Sequence, residues 1–332
     1  MTSKLPLSFA CASYDRMDAL RTGEVKAEGI DLNYITINHP RDVFDRMMGG
    51  HEFDASEMSS SEYICTYAAG KRDFVAIPVF PSRVFRHGFI AVDGKQVKTP
   101  KDLEGKKVGV QLYTMTAAVW IRGLLAQEGV DLDTIEWVEG AVEKPGSHGK
   151  PSALPPIKPV KITRNEDANR SLSQLLADGE IAATIGADLP TSYGQAANVK
   201  RLFPDFKEAE KKYYKNHGIF PIMHLVVIKR SLVEQHPWIP SSLYNAFNES
   251  KEVALRRMKF VGALRYMLPW LPSELDEINE VFEDGDPWPY GLEKNRRTLE
   301  TLVEFLWEQG MVERKPTLEE LFWPVKAHQW HL

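Results

Sequence analysis

The densest concentration of reactive side chains is the stretch Pro81-Ser82-Arg83-Val84-Phe85-Arg86-His87. A guanidinium fork holds a carboxylate through two parallel hydrogen bonds. An imidazole exchanges a proton near neutral pH. Two arginines followed at once by a histidine therefore suit an acidic molecule that must gain or lose a proton. In an extended loop Arg83 and Arg86 face different sides, so one of them is expected to enter a cleft. His224 interrupts the apolar run Met223-His224-Leu225 and is a second proton carrier. Each has a plainer alternative: a surface ion pair for an arginine, a strand-end cap for His87, a satisfied core position for His224.

Other candidates stand where strands pass into helices. Thr114, Met115 and Thr116 follow the strand-like run Lys107–Leu112 and precede a helix over Ala117–Glu128. Ser59, Ser60 and Ser61 form a matching junction ahead of Glu62. A helix N-terminus offers unpaired N–H groups and partial positive charge to a carboxylate, although the same hydroxyls can serve only as caps. Tyr14 and Asp15 end the first strand, and Glu57 and Asp188 stand at other strand ends. Either of the latter carboxylates could hold a histidine in its productive tautomer. With His87 and His224 they could also surround a divalent metal, although no ligand spacing within the sequence supports one. Met115 and Trp120 could stack on an aromatic ring or fill the core, and Arg122 could pair with Glu128 or face solvent.

The elements that must position these residues read as strands alternating with helices. Leu5–Ala12, Ile30–Ile37, Val75–Val79, Phe89–Val92, Lys107–Leu112, Ile135–Val138, Ala182–Ala187 and Phe220–Ile228 have strand character. Helices are expected from Pro40, from Ser59, over Ala117–Glu128 and Ser171–Asp178, and through the C-terminal third, where Ser242–Leu268 is the longest periodic segment. Pro145, Pro151, Pro155, Pro156 and Pro159 mark Glu143–Ile162 as an irregular loop. This is an α/β pattern. Residues 99–219 form a compact block inserted into a first lobe made of 1–98 and 220–332. A ligand cleft is expected between the lobes.

The order of elements resembles the two-lobed type 2 periplasmic-binding-protein fold over nearly the whole chain. The block TPKDLEGKKVGV (99–110) is similar to the usual start of that fold's second lobe. The stretches Pro81–His87 and Tyr113–Gly123 (YTMTAAVWIRG) resemble the 4,5-dihydroxyphthalate decarboxylase family. That resemblance implies conversion of 4,5-dihydroxyphthalate to protocatechuate and carbon dioxide, by protonation of the ring before loss of carbon dioxide. Such a reaction calls for cations or helix N-termini to hold carboxylates, a base near a hydroxyl and a proton donor over the ring. It requires no organic cofactor in principle. On this reading His87, His224 and Arg83 are the catalytic candidates. Tyr14, Ser59, Ser60, Arg86, Thr114, Met115, Thr116 and Asp188 are the substrate-binding candidates.

Composition narrows the alternatives. The 332 residues carry 41 Lys and Arg against 46 Asp and Glu, a net charge of −5. A mildly acidic chain argues against nucleic-acid binding. No GxGxxG, GxxxxGK[ST] or GxSxG motif is present. The two cysteines, Cys11 and Cys65, have no zinc spacing and fit a reducing compartment. No run approaches a membrane span, and the first residues lack an apolar leader, so a cytoplasmic enzyme is expected. A solute-binding protein for an aromatic or dicarboxylic acid is the alternative of a different class. Another cytoplasmic enzyme on the same scaffold, such as a menaquinone-pathway dehydratase or a thiamin-precursor synthase, is a third. Trp307, Phe322 and Trp323 could form a homo-oligomer contact.

Overall fold

The computed structural model describes residues 4–148, 155–282 and 285–328. Its strands form two sheets. β1 (Leu5–Cys11), β2 (Ile30–Thr36), β3 (Ala55–Ser59) and β4 (Phe74–Arg83) belong to the first. The second contains β5 (Ile90–Asp93), β6 (Lys107–Val110), β7 (Glu136–Glu139), β8 (Ile162–Arg164), β9 (Ala183–Ile185) and β10 (Val199–Arg201). β11 (Ile222–Lys229) returns to the first sheet, giving the orders β2-β1-β3-β11-β4 and β10-β5-β9-β6-β7-β8. The second sheet is thus nested within the first along the chain.

The helices are α1 (Asp15–Arg21), α2 (Pro40–Gly50), α3 (Ser60–Ala68), α4 (Thr116–Gln127), α5 (Leu172–Ala177) and α6 (Phe206–His217). They continue as α7 (Arg230–Gln235), α8 (Ile239–Lys259), α9 (Leu271–Val281), α10 (Arg296–Glu308) and α11 (Leu318–Leu321). The expected α/β architecture with a helical C-terminal third is present.

Two boundaries differ from the sequence reading. Residues 90–93 were expected in the first lobe, but β5 pairs antiparallel with β9 and β10 in the second sheet. The first crossing between sheets therefore falls in residues 84–89, where the apolar run gives no sign of which sheet it will join. The long C-terminal helix stops at Lys259 rather than Leu268. Gly262 and Pro269 interrupt the periodic run there, and Phe260, Met267 and Trp270 are exposed. β8 and β10 were not anticipated, since three residues are too few to show an alternating pattern.

α4 joins the two lobes. Ala118, Ile121, Leu124 and Leu125 enter the second lobe's core, while Ala117, Val119 and Trp120 enter the first lobe's core. A helix apolar on nearly all sides is buried on nearly all sides. The Trp120 indole donates to the Ile222 carbonyl at 2.9 Å. Gly123 faces Phe305 of α10, and a Cβ there would lie 2.2 Å from its ring. Only glycine permits this approach, so α4's N-terminus is fixed where the lobes meet. Phe322, offered as an oligomer contact, is instead core, and Trp307 remains 42% exposed.

Candidate active site

The pairing of β3 with β11 sets the centre of the site. Their register puts His224 opposite Ser59, at the end of β3 where α3 begins. On its other side β11 meets β4 with an irregular register between Ile222, His224 and Val226. Such an irregularity turns a side chain out of the ordinary alternation. The His224 ring reaches a cavity of about 290 Å³ between the lobes, with Phe44 edge-on at 4.9 Å. That volume lies near the lower end of ordinary ligand pockets, roughly 300 Å³, and suits one small ring system.

Behind His224 stands Glu57, wholly buried on β3. Its Oε1 lies 2.6 Å from His224 Nδ1 and accepts from the Tyr14 hydroxyl at 2.7 Å. Its Oε2 accepts from the Ala12 N–H at 3.2 Å and the Cys11 thiol at 3.3 Å. Burial alone would raise this carboxyl; the His224 ring, the Tyr14 hydroxyl and the Ala12 amide outweigh it and hold it below the ordinary range. An ionised Glu57 at Nδ1 orients the imidazole and leaves Nε2 free of this contact.

The cavity walls also carry groups that suit an anion. Three helix N-termini, those of α2, α3 and α4, reach the cavity through His39 and Pro40, Ser59, and Met115 and Thr116. Thr116 Oγ1 lies 3.0 Å from Ser59 Oγ and 3.0 Å from Ser61 Oγ, which ties the α3 and α4 termini together across the lobes. Arg86 also lines the cavity. Its Nε meets the Met223 sulfur at 3.3 Å and its Nη1 the Ala187 carbonyl at 3.3 Å. Burial lowers its guanidinium to about 10, neighbouring Asp188 and Glu210 oppose that shift, and the group stays protonated at neutral pH. Asp188 faces the same space from the end of β9.

The structure therefore gathers His224, Ser59, Arg86, Met115, Thr116 and Asp188 around one cavity. Tyr14 stands one layer behind, on Glu57. Ser60 and Thr114 are buried beside the helix termini and are not among the lining residues. The structure places Arg83 and His87 away from this cavity. β4 continues through Arg83 and carries its side chain into the first lobe, where Nη2 donates to the Pro289 carbonyl at 2.9 Å and to Asn295. His87 begins a short 3-10 turn that directs its ring between Phe203 and Tyr213, each 5.3 Å away. Neither lines the cavity, so neither is placed to touch a ligand there.

Sequence reasoning passed over Arg41 and Glu62. Arg41 Nη2 and Glu62 Oε2 are 3.1 Å apart in the cavity wall, and Arg41 also binds Asp45. Both had a sufficient local explanation, as the start of α2 and the first turn of α3. Their pairing is a tertiary fact. His148 joins His39 at the rim, ring centres 6.4 Å apart, and burial followed by the His39 charge lowers its basicity. Among the described residues, no group of three His, Cys, Asp or Glu side chains is arranged to hold a metal ion. No helix among them is long and apolar enough to cross a membrane.

Known proteins share this organisation. Residues 26–145 match the family model described as NMT1/THI5 like. The aliphatic sulphonate binding protein SsuA of Escherichia coli superposes with a TM-score of 0.53 at 16% identity, covering 99% of this chain and 96% of that one. SsuA of Xanthomonas axonopodis pv. citri, bound to MOPS, gives 0.54 at 10% identity, covering 97% and 99%. At such identity the likeness establishes the periplasmic-binding-protein fold alone. Sequence relatives are far nearer. A 4,5-dihydroxyphthalate decarboxylase of Comamonas testosteroni is 36% identical over 99% of this chain and 100% of its own length. One of Pseudomonas putida is 34% identical over 64% of this chain and 83% of its own. With that identity sustained end to end, on a fold whose interlobe cavity joins a histidine–glutamate pair to helix N-termini, the chain belongs to the 4,5-dihydroxyphthalate decarboxylase family.

Proposed function

We propose that this protein decarboxylates 4,5-dihydroxyphthalate to protocatechuate and carbon dioxide, with His224 delivering the proton. The observation that carries this reading is the His224–Glu57 pair at 2.6 Å, opening on a ring-sized cavity with Arg86 and helix N-termini on its walls. Each carboxylate of the substrate lies para to a ring hydroxyl. The oxygen lone pair pushes electron density to the carboxylate-bearing carbon. That carbon forms a C–H bond with the proton of the His224 imidazolium. Its bond to the carboxylate then breaks, carbon dioxide leaves, and the electron pair restores the aromatic ring. One proton is consumed, and neutral His224 is reprotonated from solvent. Ionised Glu57 favours the imidazolium at the start of each cycle. Arg86 and the α3 and α4 N-termini hold the substrate's carboxylates against it. We place the reaction in the cytoplasm, because Cys11 and Cys65 are free and buried and suit a reducing compartment.

The test is to incubate chelator-treated protein with 4,5-dihydroxyphthalate in D₂O and to follow protocatechuate by chromatography and mass. Catalytic product carrying one deuterium at the vacated ring carbon is the expected result. Binding without turnover, unchanged when divalent metal is restored, would make the protein a receptor for aromatic acids. Neither binding nor product would remove this substrate.

A further inference from the structure

We infer that Asp188, held in place by Gln111, accepts a hydrogen bond from a ring hydroxyl and makes the site select hydroxylated aromatic dicarboxylates over unsubstituted ones. The inference rests on the proposed decarboxylase reading and names what that reading leaves open: how the other end of the ring is recognised. A carboxylate in the wall of an anion-binding cavity repels a dicarboxylate unless it faces a donor. Asp188 is such a group. The substrate's own donors are its hydroxyls, so the charge balance assigns Asp188 to the hydroxyl end.

The other carboxylate on the wall and the paired histidine are otherwise engaged. Glu62 turns both oxygens to Arg41. His224 Nδ1 faces Glu57, and on the proposed reading its ring is the proton donor. Among the described residues no basic side chain is bonded to Asp188, and its one hydrogen bond there is from Gln111 Nε2 to Oδ2, at 2.9 Å.

Gln111 is built in as a positioning residue. It is buried at the end of β6, and its Oε1 accepts from the Ala187 N–H at 2.8 Å while its Nε2 donates to Asp188. One amide therefore fixes two successive residues of the loop after β9. Gly186 allows this grip, since a Cβ there would lie 2.5 Å from Gln111 Oε1. The same loop turns the Gly186 and Ala187 carbonyls toward Arg86 Nη1, at 3.5 and 3.3 Å. Gln111 thereby sets where the hydroxyl acceptor stands relative to the carboxylate-binding guanidinium.

The experiment compares KM and kcat for 4,5-dihydroxyphthalate with the competitive inhibition constant of phthalate, which lacks the hydroxyls. In the unaltered protein the phthalate constant should exceed KM roughly ten- to a hundredfold, the effect of a hydrogen bond to a charged group. Asp188→Asn should raise KM about tenfold or more, change kcat less, and leave the phthalate constant unchanged or lower. Gln111→Met should move the two constants in the same sense by a smaller factor, and Asp188→Glu should recover part of the discrimination. Equal weakening of both ligands by Asp188→Asn, or unchanged discrimination, overturns the inference and leaves the decarboxylase reading standing. Absence of turnover in the unaltered protein overturns that reading and the inference with it.

Discussion

His224 and Glu57 lie on neighbouring strands of the first sheet and meet at 2.6 Å. His87 and Glu210 lie on the two segments that join the sheets, one just after β4 and one in α6, and come only within 4.0 Å. Both pairs combine the same residue types in largely buried surroundings, yet their carboxyls are shifted in opposite directions. Glu57 has His224, a tyrosine hydroxyl and a backbone N–H to offset burial, and stays ionised. Glu210 receives backbone N–H groups and the field of Arg201 and Arg86, but burial prevails and raises it to about 7. His87 packs against two aromatic rings, has no hydrogen-bond partner at Nδ1 among the described residues, and is lowered by burial to about 4. Residue type supplies the capacity to titrate. Contact distance and the number of competing donors decide whether the buried carboxyl is ionised or neutral.

The sharpest way to break this comparison is to exchange the histidines' roles by mutation. His224→Gln should lower kcat for protocatechuate formation by about a hundredfold or more, the range of a lost general acid. His87→Leu should leave kcat within about threefold, since its ring does not reach the cavity. A large loss in His87→Leu together with intact turnover in His224→Gln would reverse the assignment. Glu57→Gln comes next, with an expected loss of about tenfold in kcat. With the buried carboxylate gone from Nδ1, the imidazole is held less firmly, so the loss should fall on kcat rather than on KM. An unchanged kcat would show that Glu57 does not position His224.

Much of this was legible in the sequence, and what was not has identifiable causes. His224 stood out because a titratable ring in an apolar strand must be satisfied by something. Glu57 and Asp188 stood out as carboxylates at strand ends. Which carboxylate would meet His224 depends on the β3–β11 register, and no local pattern states it. The Arg83–His87 stretch misled for a related reason. Its residue types suit the chemistry, but β4 runs on through Arg83 and a 3-10 turn follows, so Arg86 alone of the three reaches the cavity. Arg41 and Glu62 were hidden by their own good helix-start roles. Helix N-termini were readable from their hydroxyl residues, while the convergence of three of them on one cavity required the fold.

The smallest expected effect concerns stability, and it isolates the His87–Glu210 pair. Between about pH 4.5 and 6.5 an unfolded chain protonates the histidine and ionises the glutamate, at ordinary values of 6.5 and 4.5. The folded protein does the reverse, with His87 at about 4 and Glu210 at about 7. Each state binds one proton across the pair, so the pair contributes no pH slope to stability in that window. Removing one member exposes the other. In Glu210→Gln only the unfolded chain takes up a proton, on the histidine, so stability should fall as pH drops from 6.5 toward 4. In His87→Leu only the folded protein takes one up, on the glutamate, so stability relative to the unaltered protein should rise as pH drops from 7 toward 4.5. Solvent reaches Glu210 in part, which reduces each slope to roughly 1 kcal/mol per pH unit. Urea unfolding of both variants and the unaltered protein at pH 5 and 6.5 reads the difference. Opposite slopes on either side of the unaltered protein support two neutral groups at the lobe junction. Parallel slopes would mean that His87 and Glu210 form an ordinary ion pair, and the contrast with His224 and Glu57 would vanish.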